Sequence, residues 1–110
     1  MSKRMEQEQY RQGDVFLMAI DRVPAAAKEI PREAGRVILA HGEVTGHAHG
    51  IRDSRVMFRM DEAGSYLTVL GEAPVALTHE EHAPIEVPPG DYRVVRQREY
   101  SPSEIRNVAD

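Results

Sequence analysis

The five histidines of the sequence fall into two groups, and this distribution is the feature that most directly suggests chemistry. His41, His47 and His49 lie within nine positions, and His79 and His82 lie within four. Side chains alternate between the two faces of a β-strand, so His47 and His49 project from the same face if this segment is extended. A His-x-His pair of this kind can offer two imidazole nitrogens to one metal ion.

The second histidine group follows a short apolar segment. Counting with a period of two from Val75 and Leu77 places His79 on the same inward face as these two residues. His82 lies beyond the expected strand end, where a turn would bring it back beside His79, and the two acids between them supply a carboxylate. Both groups close predicted strands, and such ends gather at one mouth of a small antiparallel barrel. The predicted ligands of one shared metal site are His47, His49, His79 and His82.

The chemistry of these ligands leaves the ion and its role open. The chain contains no cysteine, so a metal site must use His, Asp or Glu, and Zn, Fe, Ni, Mn and Cu all accept such ligands. Three histidine ligands would leave a position for metal-bound water or a small molecule, whereas four would make the metal structural. No catalytic residue is identified, and enzymatic activity stays open. The alternative is that the histidines are ordinary hydrogen-bonded core or surface residues.

The segment Gly42–His49, with the sequence GEVTGHAH, resembles the first motif of the cupins. Cupins are small β-barrels that hold a divalent metal with His-x-His, a downstream Glu and a later His. The resemblance implies a cupin-like barrel in which Asp53 stands where the family has Glu, and in which His79 or His82 replaces the last ligand. The spacing from Gly to His is one residue shorter here, and the family's Pro-x-Gly-x-x-His motif is absent. The whole chain also resembles a set of small uncharacterised bacterial and phage proteins, which implies no activity.

The elements that would position these histidines are short strands separated by Gly, Pro or Asp. Their number and brevity predict an all-β fold, a small antiparallel barrel or sandwich, rather than a parallel sheet with crossover helices. The segment Pro88–Asp91, with the sequence PPGD, predicts a hairpin between the two strands that flank it. The predicted strands are Asp14–Ile20, Arg36–Ala40, His47–Arg52, Arg55–Met60, Tyr66–Leu70, Pro74–His79, Ile85–Val87 and Tyr92–Tyr100.

The domain organisation follows from length and local composition. With 110 residues, the chain is long enough for one domain. Residues 1–12 are polar and read as an N-terminal segment, and residues 13–110 read as a single β domain. Near the end, Ser101, Pro102 and Glu104 stand at the cap, first and third positions of a predicted short C-terminal helix.

Charge and hydropathy restrict the expected partners and location. A net charge of −4 without a long basic run gives no reason to expect tight binding to nucleic acid. Arg96, Arg98 and Tyr100 share one face of the last predicted strand, but a solvated sheet face accounts for them. No apolar stretch is long enough to span a bilayer, and the N-terminus has no signal-peptide core, so we expect a cytoplasmic protein without a membrane partner.

The first predicted strand suggests an alternative function that does not depend on a metal. Val15 to Ile20 is apolar on both faces, so one face needs cover from a second layer or from a neighbouring subunit. We therefore expect a homo-oligomer, and a small molecule is the expected ligand of any open metal site. The competing function is a non-enzymatic oligomerisation or protein-interaction module in which the histidines are structural.

Overall fold

The computed structural model describes residues 9–42 and 44–97, and in these residues it contains strands and turns but no α-helix. The all-β prediction is therefore confirmed, and each of the eight predicted strands overlaps an observed one. The strands are β1 (Gln9–Gln12), β2 (Val15–Ile20), β3 (Lys28–Glu29), β4 (Val37–His41), β5 (Ala48–Ile51), β6 (Val56–Asp61), β7 (Gly64–Val69), β8 (Val75–Leu77), β9 (Ile85–Val87) and β10 (Gly90–Arg96).

The strands form one large sheet and two ribbons. The sheet has six strands in the order β1-β2-β10-β7-β6-β3, while β4 pairs with β5 and β8 with β9. Every pair is antiparallel. The described strands do not form a closed barrel, because β1 and β3 end the sheet at opposite edges and do not pair with each other. The barrel is thus the part of the fold prediction that differs, whereas the antiparallel class is right.

The core lies between the large sheet and the two ribbons. Val15 and Leu17 of β2 are fully buried, as the period-two pattern predicts for one face of that strand. Ile51 from the first ribbon and Leu77 from the second belong to the same apolar cluster. Full burial of such a side chain contributes about 1.5–3 kcal/mol, so the ribbons are held to the sheet mainly by apolar contact.

The polar N-terminal segment includes the start of the sheet. The described residues of this segment, Gln9–Gln12, form β1, which pairs with β2. The side chain of Gln12 is buried. Neither β1 nor β3 is predicted, because β1 is polar and β3 has only two residues. Both strands lie at edges of the sheet, where a strand needs an apolar side chain on at most one face.

The hairpin predicted at Pro88–Asp91 is wrong. β9 pairs with β8 in a ribbon, whereas β10 pairs with β2 and β7 in the large sheet. The two prolines lack an N–H for a strand ladder, so the chain leaves one sheet there and enters the other. The Tyr92 hydroxyl donates to the carbonyl of Pro88 at 2.6 Å and fixes this crossing.

The short C-terminal helix predicted from Ser101 lies outside the described residues. Among the described residues, no helix is long and apolar enough to cross a membrane.

Candidate functional site

Four separate parts of the chain line a cavity of about 410 Å³. They are the turn after β1, the turn between β4 and β5 with the start of β5, the segment after β8, and the end of β10. The cavity is open to solvent on one side. The residues that line it are Gly13, Asp14, Gly42, Val44, His47, His49, His79, Glu81, His82 and Arg96.

All four predicted ligand histidines line this cavity. The ring centroids of His49 and His79 are 4.3 Å apart, and those of His79 and His82 are 4.7 Å apart. His47 lies 5.8 Å from His79, and His49 lies 5.8 Å from His82, again between centroids. The prediction that the two groups meet in space is therefore confirmed.

A short backbone contact between the two ribbons brings the groups together. The amide of Gly50 donates to the carbonyl of Thr78 at 3.0 Å, and the amide of Thr78 donates to the carbonyl of Gly50 at 2.9 Å. This antiparallel bridge fixes β5 against the end of β8. Because His49 precedes one bridge residue and His79 follows the other, the two imidazoles become neighbours.

The orientation of the buried His49 ring is fixed by Gln12. His49 is 2% exposed, and its Nδ1 lies 2.9 Å from the Gln12 side-chain oxygen. The Gln12 amide nitrogen donates to the carbonyls of Leu77 at 2.9 Å and Ala83 at 3.0 Å, which determines which end of the amide is the acceptor. His49 must therefore donate from Nδ1. In its neutral form, the lone pair is on Nε2.

This free nitrogen faces a carboxylate. His49 Nε2 lies 3.5 Å from Asp14 Oδ1, and the other carboxylate oxygen of Asp14 lies 3.3 Å from the Arg96 guanidinium. Burial lowers the pKa of His49 to about 4, with a further lowering from neighbouring His79 and a smaller opposing effect from Asp14. His49 is therefore neutral at pH 7, and two electron-pair donors, each able to bind a proton or a cation, face each other across a short gap.

The segment that contains Glu81 contacts both His79 and His47. The Glu81 amide donates to Nδ1 of His79 at 3.0 Å, so the proton of neutral His79 is on Nε2. Nδ1 of His47 lies 3.3 Å from a Glu81 carboxylate oxygen, within ion-pair distance, but the two atoms are not aligned as a hydrogen bond. This nitrogen is buried and makes no hydrogen bond to a described residue.

The two acids between His79 and His82 have different roles. Glu80 accepts a hydrogen bond from the amide of Ala48 at 2.9 Å, and this bond lowers the pKa of its carboxyl group. Glu80 thereby fastens the segment after β8 to the first residue of β5. Glu81 is the acid that lines the cavity.

Glycine is favoured where the chain passes His82. Gly13 has a φ of 60°, and a Cβ atom at this position would lie 2.7 Å from Nε2 of His82. The backbone conformation therefore favours glycine, and a Cβ atom would displace the exposed His82 ring from its place in the cavity. The exposed His82 makes ring contacts with His49 and His79 but no hydrogen bond to a described residue.

Two further residues considered from the sequence lie elsewhere. His41 is exposed and lies 3.6 Å from Glu33. The Asp53 carboxylate pairs with the Arg55 guanidinium at 3.0 Å, and this pairing lowers the pKa of Asp53. Neither His41 nor Asp53 lines the histidine cavity, so Asp53 does not take the position that the cupin resemblance implies.

In this conformation the cavity is not a finished metal site. Among residues 9–42 and 44–97, no group of three or more His, Cys, Asp or Glu side chains is arranged to hold a metal ion. The imidazoles are close, but their nitrogens do not converge on one point. His79, for example, uses Nδ1 to accept a backbone hydrogen bond.

Three residues of the site are missed by the sequence analysis. Gln12 and Asp14 lie far from either histidine group in sequence, and no local pattern distinguishes them from ordinary polar residues at a turn. Arg96 is assigned to a solvated sheet face, but its side chain reaches the cavity. Only the pairing of β1 and β10 with β2 brings these residues to the histidines.

The fold and the site together define a small antiparallel β protein with a histidine-lined cavity. The chain belongs to the family described as a domain of unknown function (DUF8820), whose model matches residues 11–97. No curated protein and no solved structure matches the chain.

Proposed function

We propose that the protein binds a divalent metal ion in the histidine cavity, with His49 as the anchoring ligand. The observation that carries this proposal is the hydrogen bond from His49 Nδ1 to Gln12. Metal-binding histidines commonly donate their second ring nitrogen to a carbonyl or carboxylate, which fixes the tautomer and leaves the other nitrogen for the metal. Burial also keeps His49 neutral, as a metal ligand must be.

The separations in the cavity support a shared ion. Two ligand atoms that bind one ion at about 2.0–2.1 Å are about 3–3.4 Å apart at angles near 90–110°. His49 Nε2 and Asp14 Oδ1 are 3.5 Å apart, which makes Asp14 an additional candidate ligand. At the same angles, two imidazole centroids would be about 4.5–5.3 Å apart, close to the observed 4.3–5.8 Å.

Binding requires a local change at His79. For Nε2 of His79 to bind the ion, the proton must move to Nδ1, and the hydrogen bond from the Glu81 amide must break. His82 is exposed and can turn towards the ion with His79. The metal thus completes its ligand set by reorganising residues 79–82, while His49 stays in place on β5.

The expected role of the ion depends on how many histidines bind. Zn, Fe, Ni, Mn and Cu all accept imidazole, so the ligands do not select one ion. If one of the four histidines stays unbound, a coordination position is open to water or to a small molecule entering from solvent. Metal-dependent catalysis on a small molecule then becomes accessible to the protein.

The test is metal analysis of protein purified without a histidine tag, followed by titration with Co²⁺ monitored by its absorption spectrum. Wild-type protein should contain or take up about one ion per chain. His49→Ala should weaken binding at least about tenfold, and the exposed His82→Ala variant should weaken it without a loss of core packing. His41→Ala is the matched control and should bind as the wild type does.

Two results would refute metal binding in the histidine cavity. Folded wild-type protein that binds none of Co²⁺, Zn²⁺ or Ni²⁺ would refute the proposal. So would a folded His49→Ala variant with wild-type affinity. Circular dichroism of each variant establishes that a loss of binding is not a loss of folding.

A second candidate function is self-association through the outer face of β2. Phe16, Met18 and Ile20 project away from the core, and Met18 is 38% exposed. Exposed apolar side chains on one strand face favour a second copy of this chain as their cover. The two candidates use different surfaces and are tested separately.

A further inference from the structure

Arg96 has unused hydrogen-bonding capacity at the wall of the cavity. It lies at the end of β10, and its side chain is 22% exposed. Its one hydrogen bond to a described residue joins a terminal nitrogen to Asp14 Oδ2 at 3.3 Å. A guanidinium has five N–H donors, so most of them have no partner in the described residues. One of these, Nε, is buried.

The strand register explains why this arginine turns inward. Arg96 is paired with Val15 of β2, and it shares a strand face with the buried Val94 and Tyr92. Its side chain therefore lies on the core side of the sheet, where the cavity opens. A buried or half-buried donor without a partner is unfavourable, so such a group commonly indicates a missing water or ion.

When a divalent ion is bound, the charges in the cavity favour an anion as the missing partner. Asp14 and Glu81 each carry a negative charge, His49 is neutral, and Arg96 is positive. A divalent ion would leave the cavity with excess positive charge. Guanidinium groups pair with carboxylate and phosphate oxygens through two parallel hydrogen bonds, which Lys cannot reproduce.

We propose that Arg96 binds the carboxylate or phosphate group of a small anionic substrate beside the metal ion. The metal and the charge balance in this statement rest on the proposed function, whereas the unused donors of Arg96 do not depend on a metal. The cavity volume of about 410 Å³ suits a small molecule. One substrate oxyanion would then satisfy both the unused donors of Arg96 and the open position of the ion.

The test is calorimetric titration of inorganic phosphate and, separately, oxalate into Co²⁺-loaded protein and into metal-free protein. The variants are Arg96→Gln, which removes the charge, and Arg96→Lys, which keeps the charge but loses the planar donors. Arg93→Gln is the matched control, because Arg93 lies on β10 but on the opposite face and donates to the carbonyl of Ala63.

Wild type and Arg93→Gln should bind at least one of the two anions. Arg96→Gln should bind it at least about tenfold more weakly while keeping its Co²⁺, and Arg96→Lys should fall between them. Preference for phosphate or for oxalate identifies the class of anion. The Co²⁺ spectrum should change when the anion binds.

The results also distinguish this inference from the metal proposal. Unchanged anion affinity in a folded Arg96→Gln variant overturns the inference, and so does wild-type protein that binds Co²⁺ but neither anion. Protein that binds no metal but loses anion affinity in Arg96→Gln refutes the metal proposal and supports the role of Arg96.

Discussion

Lowering the pH from 7.5 to 5 should destabilise the metal-free protein through His49. Burial, and next the facing His79, hold the pKa of His49 near 4, below its usual value of 6.5. Asp14 raises this pKa by a smaller amount, and His82 and Arg96 lower it by less still. Between these two values the unfolded chain binds a proton at this site and the folded chain does not. Stability is therefore fully present above pH 6.5 and is lost as the pH falls.

The size of this loss follows from the two pKa values. Integrated from pH 7.5 to 5, the difference corresponds to at most about 2 kcal/mol of unfolding free energy. Urea denaturation in the presence of a chelator, followed by circular dichroism at both pH values, measures it. The chelator removes competition between protons and metal.

The comparison with variants assigns the loss to this residue. His49→Gln should show a smaller decrease in stability over the same pH range, because its side chain does not titrate. His41→Gln, which changes an exposed histidine outside the cavity, should keep the wild-type decrease. If His49→Gln is folded and loses as much stability as the wild type, the argument from burial is refuted.

Three other changes test the core, the cavity and the outer face of β2. Leu17→Ala, at a fully buried position, should lower the unfolding free energy by about 2–5 kcal/mol in urea denaturation, and a loss below 1 kcal/mol would contradict the described core. Gly13→Ala should weaken Co²⁺ binding in a spectroscopic titration, because residue 13 has a φ of 60° and the new Cβ would lie 2.7 Å from His82 Nε2. Unchanged affinity would show that metal binding does not need the close packing of Gly13 against His82. By light scattering, the wild-type protein should be a dimer and the Met18→Lys variant a monomer. Leu70→Lys changes an exposed apolar residue outside the β2 face, so this control should stay dimeric. A monomeric wild type would refute self-association.

The fold class could be predicted because it depends on local patterns. Alternation of apolar residues and the placement of Gly and Pro identify strands such as β2, β6 and β9 within one or two residues of their observed ends. The pairing of strands could not be predicted in the same way. At Pro88–Asp91 the turn sequence is compatible with a hairpin, but the partners of β9 and β10 are decided by contacts with β8, β2 and β7.

Some features of the candidate site could likewise be predicted from the sequence, and others depend on the tertiary structure. The sequence by itself determined the ligand types, because two histidine groups without cysteine restrict any metal to imidazole and carboxylate ligands. It also indicated that His49 lies near the start of one strand and His79 near the end of another, because the Gly, Pro and apolar residues that mark strand ends are local signals. Only the tertiary structure decided that Gln12 fixes the His49 tautomer and that Asp14 and Arg96 complete the cavity wall. These residues come from strands distant in sequence, and nothing in their local sequence encodes which histidine they will face.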